Sequence, residues 1–393
     1  MALRGSRSAA LILFTLLSEN HASAQVAGTV RSSATLAPLP GAIVRVQASE
    51  STQTFTSDTG TFALPDAAGS VVVVAGAKGY FYGSAEVTAP AADIEIALDE
   101  VPPNDDPDYE FLQPSFCATC HPVQQLDWAG SPMGKAGLNR WVYDTFDGSG
   151  TPGGMGGFVY TRDSALAASN PASECRSCHQ PEGWVKEPFS ALGSLDDVTP
   201  EMLHGVSCEI CHKISDYDES KPSYPGVWPG VVTLRRPLGF KLELGVLGDV
   251  DFFQPGKMRA SYQPQLRSAI CAACHQDKND PDLDGDFEED NGVISEPTYL
   301  EWLSSPYADP ASPLHAECVD CHSGDSAILR EGTRREAPSA CRRRTGDPSD
   351  GHVGVALVDA DLYGSVQRIH DPDAVRLLQI IRREAGARQA CEK

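Results

Sequence analysis

Ten of the twelve cysteines fall into five copies of one pattern, Cys-x-x-Cys-His. The copies are Cys117/Cys120/His121, Cys175/Cys178/His179, Cys208/Cys211/His212, Cys271/Cys274/His275 and Cys318/Cys321/His322. Two thiols three residues apart reach the two vinyl groups of one porphyrin and form thioethers, and the adjacent His supplies the iron's proximal nitrogen. Zinc also takes Cys-x-x-Cys pairs, but it has no need of a His directly after every second Cys. A thioredoxin-like redox pair would occur once, in a βαβ setting, not five times in a chain with 35 Gly and 29 Pro. The spacing therefore predicts five covalently attached c-type haems. Cys341 and Cys391 are followed by no further Cys and His, and they either pair as a disulfide or stay free.

An iron that only passes electrons needs a sixth ligand, whereas one that does chemistry keeps that position open. Outside the motifs and the leader the chain offers His204, His315, His352 and His370. His204 precedes Cys208 by four residues and His315 precedes Cys318 by three, so each could reach a neighbouring haem packed against its own. Four histidines for five irons leave one short. A local repeat bears on the gap: Leu126-Asp127-Trp128-x-x-Ser131-Pro132-Met133 after the first motif, and Leu300-Glu301-Trp302-x-x-Ser305-Pro306-Tyr307 after the fourth. Met133 is then either a thioether ligand or ordinary packing. Met258, ahead of Cys271, is a further candidate.

A second kind of metal chemistry is written between the fourth motif and Trp302. Asp280, Asp282, Asp284, Gly285 and Glu288 match positions 1, 3, 5, 6 and 9 of a calcium-binding loop, and Phe287 takes the apolar eighth place. Asn291 stands at position 12, where a bidentate Glu would normally complete the shell. The segment is either a weak Ca2+ site or a solvated acidic loop.

The elements that must position these groups divide the chain. Residues 1–24 read as an export signal: Arg4 and Arg7, an apolar run over 9–17, and the small residues Ala22-Ser23-Ala24 before Gln25. That run is too short to span a bilayer, and no later one is long enough. The expected location is the periplasm or the cell exterior. Residues 25–100 hold no motif and carry short β-rich runs, 42–46, 54–56, 61–64 and 71–74, separated by turn residues. Residues 101–107 are an acidic, Pro-rich linker expected to be extended. The haem-bearing region covers 108–329, and an Arg-rich, atypical tail covers 330–393, with helical spacing over 371–383. Only roughly 200 residues hold all five motifs, so the macrocycles must themselves form much of the core. The expected fold is a small all-β sandwich followed by a mostly α and irregular cytochrome domain, built of loops and short helices rather than sheet.

Two stretches resemble known families. Gly28-Thr29-Val30, the segment 38–42, the segment 56–62 and Gly79-Tyr80 resemble the carboxypeptidase regulatory-like domain, which implies a transthyretin-like β-sandwich. The segment 204–212, His-Gly-Val-Ser-Cys-Glu-Ile-Cys-His, resembles the multihaem cytochrome family that includes the tetrahaem cytochrome c-554 of nitrification. Cys117 to His121 followed by Trp128 and Ser131, and the segment 298–302, support the likeness, which spans roughly 108–322. In that family a ligand His often stands where this chain has Met133, so the resemblance implies His/Met ligation at one haem. It also often has a ligand His after the last motif, which His352 matches only loosely.

The formal net charge of −23 argues against a nucleic-acid partner and suits docking onto basic redox partners. Electron transfer is the leading expectation. The alternative is an oxidoreductase acting on a small nitrogen or sulfur compound at one five-coordinate haem. No motif ends in Lys, so the nitrite-reductase signature is absent.

Overall fold

The computed structural model describes residues 25–47, 52–238, 242–245 and 258–322. Residues 1–24, expected to be an export signal, together with His352, His370, Cys341, Cys391 and the whole Arg-rich tail, lie outside the described residues.

The amino-terminal part is built from seven strands: β1 (Val26–Ser32), β2 (Ile43–Val46), β3 (Gln53–Phe55), β4 (Thr61–Leu64), β5 (Ser70–Gly76), β6 (Gly83–Thr88) and β7 (Ala91–Leu98). They form two sheets, ordered β4-β1-β7 and β3-β2-β5-β6. The period-two pattern decides what each sheet buries. In β4, Phe62 and Leu64 point inward while Thr61 and Ala63 are exposed. Val26, Val30, Phe62, Leu64, Ile96 and Leu98 of one sheet meet Val44, Val73 and Ala75 of the other in a common core. β1 runs antiparallel to β4 but parallel to β7, and its register with β7 shifts between Val26 and Gly28. A Cβ at Gly28 would stand 2.1 Å from the Ile94 carbonyl oxygen, so this pairing requires glycine. The β-rich runs of the sequence correspond to β2 through β5. β1, β6 and β7 carry too many small or charged residues for the same signal.

Residues 101–107 are strapped down rather than free. The Val101 amide donates to the Gly79 carbonyl and the Asp106 amide to the Arg236 carbonyl, both at 2.9 Å. The Asp105 carboxylate accepts from the Arg236 amide at 2.8 Å and from its guanidinium at 2.9 Å.

From residue 108 onward short helices predominate, as expected, but sheet is not absent. Among the described residues three two-stranded ribbons appear: Ile214–Tyr217 with Val232–Leu234, Leu242–Gly245 with Arg259–Tyr262, and Asp277–Lys278 with Ile294–Glu296. The expectation of a region without sheet is corrected here. Connections between short helices leave backbone donors and acceptors that a ribbon satisfies locally. The main core of this part gathers Trp184, Ile210, Ile214, Tyr217, Leu266, Ala272 and Tyr299.

The second ribbon also meets the sandwich. The Tyr82 amide donates to the Ala260 carbonyl at 2.9 Å, and Phe81 bridges to Ser261. Phe81 packs with Leu242, Leu244 and Val101. The Arg259 guanidinium lies 4.0 Å from the centre of the Phe81 ring and 3.0 Å from Asp99. Among the described residues no helix is long and apolar enough to cross a membrane.

Candidate functional site

Four of the five motifs lie on one short helix each: Cys175–His179, Cys208–Lys213, Ala269–His275 and Cys318–His322. The first is a helical turn, in which the His121 amide donates to the Cys117 carbonyl at 2.8 Å. Residues i, i+3 and i+4 share one face of a helix, so this spacing presents two thiols and one imidazole on the same side. Ser207 starts the third helix by accepting a hydrogen bond from the Ile210 amide. Pro122 and Pro181 begin the helices that follow the first two motifs, directly or one residue after the His.

Among the described side chains, one motif cysteine differs from the rest in exposure. Cys120 is exposed, whereas Cys117 and the cysteines of the second, third and fourth motifs are half-buried. The helix Pro114–Cys117 ends before Cys120, which lies in the turn that continues it, while the Cys117 thiol faces the third motif. Cys321 lies in the backbone of the helix Cys318–His322, but its side chain falls outside the described residues, so the fifth motif is placed here through Cys318 and His322.

The motifs are brought together in a definite pattern. The Cys117 thiol contacts Cys208, Cys178 contacts Cys274, and Cys271 contacts Cys318. His121 lies close enough to act electrostatically on His212, and His275 on His322. First and third motifs thus form one pair and fourth and fifth another, with the second motif against the fourth. The ion pair of Arg267 with Asp320 and the Cys318 amide's bond to Ser268 Oγ at 2.9 Å bind the fourth and fifth together.

The repeated Leu-acid-Trp-x-x-Ser-Pro segments do the same job in both pairs. The Trp128 indole N–H donates to the Val206 carbonyl at 2.7 Å, and that of Trp302 to the Ala316 carbonyl at 3.0 Å. Each acceptor stands two residues before the first Cys of the partner motif. Ser131 and Ser305 donate back to the Trp128 and Trp302 carbonyls at 2.7 and 2.6 Å. The Val206 amide then donates to the Met133 carbonyl and the Ala316 amide to the Tyr307 carbonyl, both at 3.0 Å. Met133 and Tyr307 are therefore equivalent through their backbones. The Met133 side chain is 47% exposed. Met258 is half-buried at the start of the segment that leads into the second ribbon.

Histidine orientation carries the ligand chemistry. His212 Nδ1 bonds the Leu244 carbonyl at 2.8 Å, His315 Nδ1 bonds the Tyr307 carbonyl at 2.9 Å, and His204 Nδ1 bonds Glu182 Oε2 at 2.7 Å. A carbonyl accepts only, so in the first two rings Nδ1 must hold the proton, which makes Nε2 the ligand atom of the neutral ring; His315 Nε2 lies 3.8 Å from Glu317. Ligand imidazoles in metalloproteins are fixed in this way. Desolvation holds the His179, His212 and His322 rings below the usual imidazole pKa, which favours the neutral, metal-binding form. The His212 side chain keeps exposed surface even though protein crowds its Nδ1 side. Paired thiols on one helical face, an adjacent neutral imidazole and oriented second histidines all suit a c-type haem.

Sequence reasoning missed the groups that orient these rings. Glu182 and His204 are twenty-two residues apart and on different helices, and backbone carbonyls such as those of Leu244 and Tyr307 carry no sequence mark. The Trp repeat was visible, but not what it holds.

In the acidic loop the structure differs from expectation. Carboxylate oxygens of Asp280, Asp282 and Glu289 lie within 4.8 Å of one another. Asp280 also accepts from the Leu283 and Gly285 amides at 2.7 and 2.8 Å. Glu288 faces away, accepting from the Ser223 amide at 2.6 Å and hydroxyl at 2.9 Å. Asp284 accepts from the Asp286 amide at 2.9 Å and is not in the cluster. Phe287 explains the change. Its buried ring packs 5.0 Å from Tyr224 and 4.8 Å from Trp228, which turns Glu288 toward Ser223 and leaves Glu289 beside the aspartates.

A family model described as cytochrome c554 and c-prime matches residues 159–213. The matched stretch contains the second and third motifs and His204. It supports a distant relationship to multihaem cytochromes, over 55 residues of the 393. No curated protein matches the chain.

Proposed function

We propose that this protein is an exported electron-transfer protein carrying five c-type haems, one on each Cys-x-x-Cys-His motif. His121, His179, His212, His275 and His322 serve as proximal ligands, and His204 and His315 as distal ligands to neighbouring irons. Met133, His352 and His370 are the candidates for the remaining sixth positions. Haem c supplies one-electron chemistry at iron, while the chain's own part is to attach, orient and insulate the groups. The observation that carries the proposal is the paired approach of motifs whose accompanying histidines have Nδ1 engaged by a fixed acceptor. The contacts suggest a route through the first, third and fourth motifs, since Cys211 also acts electrostatically on Cys271. From the fourth motif, thiol contacts lead to both the second and the fifth. A basic redox partner fits the chain's negative charge, and the expected location is the periplasm or the cell exterior.

Intact mass of the exported protein should equal the processed chain plus five haems. Electron paramagnetic resonance should show low-spin ferric centres, with no carbon monoxide adduct after reduction. A carbon monoxide adduct at one haem would favour the second reading, an oxidoreductase with one open iron position. Fewer than five attached haems would refute the count.

The acidic loop is proposed as a Ca2+ site held by Asp280, Asp282 and Glu289. Millimolar Ca2+ should raise the melting temperature of the holoprotein, and Asp280→Asn should abolish that rise. Equal melting with and without Ca2+ would remove the site.

A further inference from the structure

Among the three histidines with engaged Nδ1 atoms, one differs in kind. His212 and His315 are oriented by neutral backbone carbonyls, but His204 is oriented by a carboxylate. Glu182 sits in the helix Pro181–Lys186 that follows the second motif, and it is 1% exposed. Its Oε2 lies 2.7 Å from His204 Nδ1, while its Oε1 is buried without a hydrogen-bond partner. Among the described residues its ion-pair partner is His204. The nearby Lys186 ammonium is engaged with Glu110 at 2.8 Å and Glu201 at 3.1 Å. A buried carboxylate with one bare oxygen is costly unless positive charge lies close by. On the reading in which His204 is an iron ligand, the ferric iron beyond the ring supplies that charge.

From this geometry we infer that Glu182 is a potential-setting residue, which stabilises the ferric form of the haem that His204 ligates and lowers its midpoint potential. The inference rests on the proposed role of His204. A charged acceptor on Nδ1–H pushes electron density through the ring to Nε2 and makes the ligand a stronger donor. Hydrogen bonding at a ligand is one of the levers by which a protein tunes haem potential. Burial strengthens the effect, because little water screens the carboxylate. Backbone carbonyls at His212 and His315 exert a weaker pull, so the structure assigns one centre a distinct redox setting.

The test uses the full holoprotein. Glu182→Gln keeps the side-chain shape and a neutral oxygen for Nδ1–H. With five haems still attached, one midpoint potential in a spectroelectrochemical titration should move upward while the other four hold. One low-spin ferric signal should change its g-values with it, and Glu182→Asp should restore the parental potential in part. Unchanged midpoints and g-values in Glu182→Gln would overturn the inference. Should that variant not fold, the unaltered protein still decides. One low-spin centre should show the reduced g anisotropy of a strongly donating, imidazolate-like ligand, and its absence would count against Glu182. His204→Ala separates the two levels of the reading. It should convert one centre to a high-spin form that binds carbon monoxide, and a spectrum unchanged by it would overturn the ligand role and Glu182's role together.

Discussion

Lys213 follows the third motif's His directly, and its side chain has no exposed surface. Its ammonium lies 2.9 Å from Glu209 and 2.8 Å from Glu243, and it also donates to the Leu242 carbonyl. Tyr109 donates to Glu209 at 2.7 Å, and the Leu112 amide donates to its other oxygen. Two carboxylates share one cation, and burial favours keeping one of them neutral. Desolvation pushes the Glu243 pKa up to about 8, with Glu209 adding to the rise and Lys213 opposing it. A carboxyl whose folded pKa lies above its unfolded value contributes stability that is complete below the unfolded pKa. That contribution is lost as pH rises toward about 8. Urea unfolding of the holoprotein at a series of pH values should therefore show stability falling from about pH 5 to about pH 8 at this site. Glu243→Gln should flatten that slope, and an identical pH profile in the variant would refute the assignment. None of this was legible from sequence. Lys213 and Glu209 form an ordinary i,i+4 pair on paper, and nothing placed Glu243 beside them.

The helix after each first-of-pair motif ends in a clasp. Trp128 and Trp302 reach across to the residue two before the partner motif, and the Met133 and Tyr307 carbonyls complete the hold. Each indole bond is a single neutral hydrogen bond, so Trp128→Phe and Trp302→Phe should each cost about 1–2 kcal/mol. The two clasps belong to different pairs, so the double variant should lose nearly the sum, as read by denaturant midpoints. A double variant no weaker than either single one would show that the clasps act as one unit. At this scale the sequence was partly readable. The repeat announced itself because its residue types and spacing are local, and the β-rich runs of β2 to β5 did so for the same reason. Its meaning stayed hidden, because the partners Val206 and Ala316 are bound through backbone atoms. The calcium expectation failed at Glu288 for a related reason: a loop template counts positions, whereas Phe287 packing against Trp228 decided which acid faces inward.

At the scale of the whole molecule, the two parts meet through a ribbon that also serves a motif. Leu242 and Leu244 lie buried against Phe81, and the Leu244 carbonyl is the one that holds His212. Removing a buried aromatic ring typically costs about 3–5 kcal/mol. Phe81→Ala should therefore loosen the ribbon, and hydrogen exchange at the amides of residues 242–245 should accelerate ahead of the rest. Exchange unaltered there would show that the ribbon stands without the sandwich. The division into a β part and a helical part was plain from composition, but the joint was not, because Phe81 and Leu244 lie far apart in sequence. The joint also bears on how such a chain can be rearranged. A sandwich fastened only by a linker could be exchanged for another head, or shed, with little consequence for the helical part. Here a replacement would have to bring its own counterpart of Phe81, and an Asp99 for Arg259, or the ring of His212 would lose the backing that keeps its Nε2 aimed. The head is thus poor material for recombination, and variation in it should be heritable only in step with the ribbon at 242–262.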